Sequence, residues 1–224
     1  MRIEIKGDII PNDDKWIYDY LEYDCTCPKD VNNAIEKANG QPLEVYINSG
    51  GGEIFAGSEI YAALQAYKGE VHIHVVGVAA SAASIIACAR ESDIAPTAMM
   101  MVHNVSSVSR GDYHVMDKSS EVLKKANEAM AAAYVKKSGR DEKDVLAMMD
   151  RETWLTGKDA VEAGLIDSVA GSGRLVAAGP GTIPPQVIEK LRNSIRNPFK
   201  VESDSTAINQ AKAELKMISM KGVI

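Results

Sequence analysis

The chain has 224 residues, 46% of them hydrophobic and 25% charged, enough apolar material for one sizeable core and too much for a disordered chain. A formal net charge of -6 excludes the basic stripes that grip nucleic acid or an anionic membrane surface. No apolar run approaches the roughly 20 residues of a membrane-spanning helix.

The opening residues, "MRIEIKGDIIPNDDKW", lack the apolar core of an export signal. A cytoplasmic protein with no nucleic-acid and no membrane partner is therefore expected. Cys25, Cys27 and Cys88 are odd in number and show no framework spacing, so reduced thiols are expected. Paired ligand spacings are missing too, so no metal and no cofactor are expected.

In chain order, "RIEIKGDI" alternates like a half-buried strand. "DKWIYDYLEY" and "PKDVNNAIEKANG" read as helices, the second with Pro28 for its first turn and Gly40 for its stop. "LEVYINS" is a strand closing in three glycines, followed by the helical "EIFAGSEIYAALQAYKG". "EVHIHVVGV" is the next strand, "SAASIIACAR" the next helix, and "TAMMMVHN" a third strand ending at His103. A polar loop leads into a long helix from about Met116 to Lys137. "RDEKDVLAMMDRE" and "TGKDAVEAGL" are further helices, the latter capped by Thr156, and "IDSVA" is a last short strand. Strands alternating with helices predict α/β units around a largely parallel sheet over residues 1–171. Residues 172–186 are rich in Gly and Pro and predict a linker. Residues 187–224 form a tail that is either helical, packed on a neighbouring subunit, or mobile.

In parallel sheets chemistry collects where strands end and helices begin. Ser81 follows a strand and opens a helix, a position that suits a nucleophile and equally a helix cap. Ser84, one turn on, is expected to pack inside. The glycines of "INSGGGEIFAG" suit close approach of a ligand backbone, or a bare turn; without a Lys-Ser/Thr ending they are not a phosphate loop. His103, where a strand meets a polar loop, is a seat for a general base. His72 and His74 share one face of a mid-sheet strand and read as structural or at most surface residues, with a metal role the lesser alternative, and His114 carries no signal.

"YINSGGGEIFAGSEIYAAL", "GVAASAAS", "MMVHN" and "ETWLTGKDAVEAGLIDSV" occur in this order and at similar spacing in the proteolytic subunits of Clp proteases. The chain resembles that family over residues 1–171, and most of all the short ClpP-like head-maturation proteases of tailed phages and prophages. The resemblance implies the ClpP/crotonase-like α/β fold of repeated ββα and βα units with a long handle helix. It also implies a serine endopeptidase with Ser81 as nucleophile, His103 as base, and the backbone N–H groups of Gly52 and Ala82 as oxyanion hole. The family's aspartate is replaced by Glu152, with Asp150 as the alternative acid. Glu53 and Ile54 are expected to run beside the substrate.

The family further implies a homo-oligomeric ring, heptameric or a stacked double ring, acting on polypeptide substrates. The phage likeness adds capsid or scaffold protein as a partner. The family's axial-loop segment has no counterpart before the first strand, which predicts independence from a Clp-type ATPase. Two alternatives stay open: a catalytically inactive ClpP-like ring acting as an assembly scaffold, and a crotonase-type acyl-CoA enzyme.

Overall fold

A computed structural model of the chain describes residues 1–171; the expected linker and tail lie outside the described residues. The sheet runs β2-β1-β3-β4-β5-β8, built from β1 (Arg2–Ile9), β2 (Cys25–Thr26), β3 (Leu43–Gly52), β4 (Val71–Ala80), β5 (Glu91–Ile94) and β8 (Ser168–Val169). All of these neighbours pair in parallel. Toward its C-terminal end β4 changes partner, from β5 to β6 (Met99–Val102), and β6 in turn pairs antiparallel with β7 (Thr153–Thr156). The connecting helices are α1 (Lys15–Leu21), α2 (Pro28–Ala38), α3 (Ile54–Ala66), α4 (Ala82–Ala87), α5 (Tyr113–Ser138), α6 (Glu142–Asp150) and α7 (Gly157–Glu162).

Local chemistry accounts for most of these boundaries. Pro28 occupies the first turn of α2, and Asn39 ends it in the left-handed conformation. Thr156 and Asp159 form a reciprocal capping box on α7. The Glu53 carboxylate accepts from the Ala56 N–H at 2.6 Å and so caps α3. That engagement sets Glu53 at the helix start, whatever it contributes to substrate contact.

Three strands were not expected from the sequence, the first being the two-residue β2, "CT". β5, "ESDI", carries two acids and a serine and has no apolar signature. β7, "TWLT", is four residues long and merges into the α7 cap. β3 also continues through its glycines to Gly52, where a strand ending before them was expected.

One face of the sheet holds the core. Ile5, Val45, Ile47, Ile73 and Val75 are fully buried there with Ile60 and Leu64 of α3 and Ile86 of α4. The alternate positions of β3 and β4, among them Glu44, Tyr46, His72 and His74, lie on the opposite face and are only partly covered.

Candidate active site

β4 and β6 run side by side and end together, with Ala80 opposite Met101. The Ser81 N–H extends this pairing by donating to the Met101 carbonyl at 3.1 Å. The register thus delivers Ser81 and His103 to the same sheet edge, and His103 Nε2 lies 2.7 Å from Ser81 Oγ. At that separation a neutral imidazole accepts the hydroxyl proton.

Ser81 turns the chain from strand to helix with φ 54° and ψ -124°, a region that costs a non-glycine residue about 1–3 kcal/mol. Its side chain makes no capping hydrogen bond. The cap reading of Ser81 therefore fails, and its hydroxyl is turned to the imidazole. Ser84 is fully buried: its Oγ meets the Ser81 carbonyl at 2.6 Å and the Tyr134 hydroxyl at 2.7 Å. It pins α4 to the long helix α5.

The glycines of β3 lie against this turn. A Cβ on Gly51 would stand 2.7 Å from Ser81 Cβ and 3.0 Å from the Ala82 amide nitrogen, and Gly51 has φ +97°. A Cβ on Gly52, at φ +145°, would run into the backbone of Ile9, whereas Gly50 faces open space. Ser49 braces the segment, donating to the Gly7 carbonyl at 2.6 Å and accepting the Gly51 N–H at 3.0 Å. Two of the three glycines are thus sterically required, which a bare turn would not demand.

The acids sit differently. β6 and β7 pair Val102 with Thr153; His103 and Glu152 directly flank this last pair, outside both strands, with Glu152 in a left-handed turn at φ 49°. The Glu152 side chain is exposed and its Oε1 accepts from Trp154 Nε1 at 3.4 Å. Asp150 Oδ1 accepts from Asn104 Nδ2 at 2.8 Å. Among the described residues no carboxylate is within hydrogen-bonding distance of His103. Beside it, Asn104 Oδ1 is buried without a hydrogen-bond partner. The role of Asn104 carried no sequence signal, because it depends on the pairing of β6 with the short β7.

Other nucleophiles are poorly placed. Burial pushes the Cys88 thiol up to about 12 and the Cys25 thiol to about 11, so neither is a ready thiolate. His114 stacks on Tyr113 with ring centres 3.9 Å apart. His72 and His74 pair with Asp93 on the open sheet face, away from the strand ends that carry Ser81.

Comparison with known proteins gives a consistent picture. The family model described as Clp protease matches residues 33–173. The ATP-dependent Clp protease proteolytic subunit of Chlorella vulgaris is 37% identical over 142 residues, which are 62% of this chain and 69% of that protein. Among solved structures, a ClpP1 asparagine-to-aspartate mutant from Listeria monocytogenes superposes with a TM-score of 0.62 at 19% identity. That superposition covers 76% of this chain and 91% of the other and speaks to the fold.

Proposed function

The chain belongs to the Clp protease family of serine-type peptidases, and from that premise we propose that it is an endopeptidase in which Ser81 is the nucleophile and His103 the general base. The observation that carries the reading is the 2.7 Å contact between Ser81 Oγ and His103 Nε2 at a strained strand-to-helix turn. Ser81 Oγ attacks the scissile carbonyl carbon while His103 takes its proton. The oxyanion is held by the Gly52 and Ala82 N–H groups. The tetrahedral species collapses as His103 protonates the leaving amine, and water then hydrolyses the acyl-enzyme by the same relay.

Glu152 is the proposed orienting acid, because Glu152 and His103 directly flank the last pair of the β6–β7 ladder, Val102 with Thr153. A rotation of its side chain away from Trp154 Nε1 gives up only a long hydrogen bond. Asp150, engaged by Asn104, is the weaker candidate.

Members of the family assemble into rings, and a homo-oligomeric ring is the proposed working state here. The serine and histidine already meet within one chain, which supports peptide hydrolysis without nucleotide. Phage head and scaffold polypeptides are the proposed natural substrates, on the sequence resemblance alone. The test is cleavage of unstructured polypeptides, phage scaffold protein among them, by the wild type and by Ser81→Ala in the absence of nucleotide. Cleavage by the wild type only is expected; no cleavage by either, in an assembled ring, overturns the reading.

One observation favours a second reading, a ring that assembles without catalysis: the Glu152 carboxylate lies away from His103. An acyl-CoA enzyme of the crotonase kind would leave the Ser81–His103 contact without a role.

A further inference from the structure

Along β4 the sequence His72-Ile73-His74 places two imidazoles on one face of the sheet, because side chains alternate along a strand. The parallel register sets Asp93 of β5 opposite His74, and Glu44 of β3 opposite His72. Three adjacent strands thus bring two histidines and two carboxylates together on the half-open face of the sheet. His72 Nε2 lies 3.1 Å from Asp93 Oδ2, and His74 Nδ1 lies 3.0 Å from the same oxygen. One donor atom from each of these three residues falls within 4.8 Å of the others. The two imidazole rings stand 4.7 Å apart between centres.

We propose that His72, His74 and Asp93 form a binding site for a divalent transition-metal ion, with zinc the best fit. Two imidazole nitrogens and one carboxylate oxygen are a donor set suited to zinc, with bonds of about 2.0–2.2 Å. Bonds of that length separate neighbouring donors by roughly 3–3.6 Å, so small side-chain movements suffice.

Glu44 supplies a second and independent indication. Its Oε2 lies 2.7 Å from His74 Nε2, so with Nδ1 turned to the ion the opposite ring nitrogen donates to a carboxylate. That outer partner fixes tautomer and ring orientation in most histidine-ligated sites. The His72, His74 and Asp93 side chains are 34%, 20% and 18% exposed, open enough for an ion to enter and for water to complete its coordination. An ion held here clasps β4 to β5 at the end of the sheet remote from Ser81, so its contribution is to the stability of the sheet rather than to hydrolysis. The site is independent of the proposed protease chemistry.

The experiment is zinc binding to the full, untagged chain in competition with a chromophoric chelator. One tight equivalent per chain is expected for the wild type and for His103→Ala and His114→Gln. His72→Gln and Asp93→Asn should each weaken binding at least tenfold, and Glu44→Gln by about 10–100-fold. A wild type that fails to compete, or a His72→Gln variant that binds as the wild type does, overturns the site. Loss in His103→Ala with retention in His72→Gln moves the ion to the serine site and overturns it equally. A measurement on the unmutated protein guards against misfolded variants: zinc should protect His72 and His74 from diethylpyrocarbonate, read by peptide mass spectrometry. Equal modification with and without zinc contradicts the proposal.

Discussion

At the scale of single residues, the glycine segment against Ser81 separates what the turn needs from what it tolerates. Gly51 has a left-handed backbone and its missing Cβ leaves room for Ser81 Cβ and the Ala82 amide, while Gly50 borders open space. Gly51→Ala should therefore displace the turn and lower peptidase kcat/KM by at least a hundredfold, as misplacement of about 1 Å does at a reacting centre. Gly50→Ala should stay within a few-fold of the wild type; a comparable loss in both would remove the steric account. The acids allow a second comparison. Glu152→Gln keeps shape but removes the charge proposed to steady the imidazolium, and should reduce kcat by about 10²–10⁴-fold. Asp150→Asn keeps a partner for Asn104 and should leave kcat nearly unchanged. The reverse ranking in steady-state kinetics would transfer the role to Asp150. That Ser81 and His103 stand at strand exits was legible in the sequence; their 2.7 Å contact came from the pairing of β4 with β6. The present direction of the Glu152 side chain was not legible, since it turns on a single rotamer beside Trp154.

At the scale of elements, α4 and α5 are joined by the buried pair Ser84 and Tyr134. Burial raises the Tyr134 phenol far above its ordinary pKa, so the hydroxyl stays neutral and needs a partner. Ser84→Ala strands that hydroxyl and should cost about 1–3 kcal/mol, whereas Tyr134→Phe leaves Ser84 its bond to the Ser81 carbonyl and should cost about 1 kcal/mol. Urea unfolding of the two variants measures the difference, and an inverted order would contradict this arrangement.

The far end of α5 is fixed by Asp167, which accepts from the Ser92 N–H at 2.7 Å and pairs with Lys137. Burial pushes the Asp167 carboxyl up, but Lys137 and Ser92 outweigh it and hold the group below its ordinary range. A depressed carboxyl stabilises the fold above its unfolded pKa and loses that contribution as pH falls through the folded value. Asp167→Asn should be less stable than the wild type at neutral pH, with the gap closing on acidification below pH ~4. A gap that persists unchanged into acid would assign the effect to packing.

Helix limits were mostly readable from caps such as Pro28 and Thr156. β5 and β7 were not, because "ESDI" and "TWLT" are held by neighbouring strands rather than by any periodicity of their own. With β5 unseen, nothing in the sequence brought Asp93 to His72 and His74.

At the scale of the whole molecule, α5 starts as a projecting helix and ends in the core. Its buried residues begin only at Met130, while Tyr113, Val115, Met116 and Val122 are exposed. Among the described residues this stretch stays exposed, and an apolar helix face needs a partner to cover it; another copy of the chain is the proposed one, in keeping with ring assembly in this family. Val122→Asp should lower the assembled mass by analytical ultracentrifugation while leaving monomer helicity intact; unchanged mass would place the interface elsewhere. The parallel sheet and its helices followed from the alternation of strand and helix patterns. The assembly did not, because an exposed apolar stripe records that a partner is needed without recording how many copies close the ring. Among the described residues, no helix is long and apolar enough to cross a membrane.

The central claim is that the Ser81 hydroxyl, seated against His103, is the attacking group. Labelling of the assembled protein with a fluorophosphonate, followed by peptide mass spectrometry, tests this most directly. The adduct should sit on Ser81, form rapidly in the wild type and slow by orders of magnitude in His103→Ala. No adduct on Ser81 in a folded oligomer, or an equal rate without the imidazole, would contradict it.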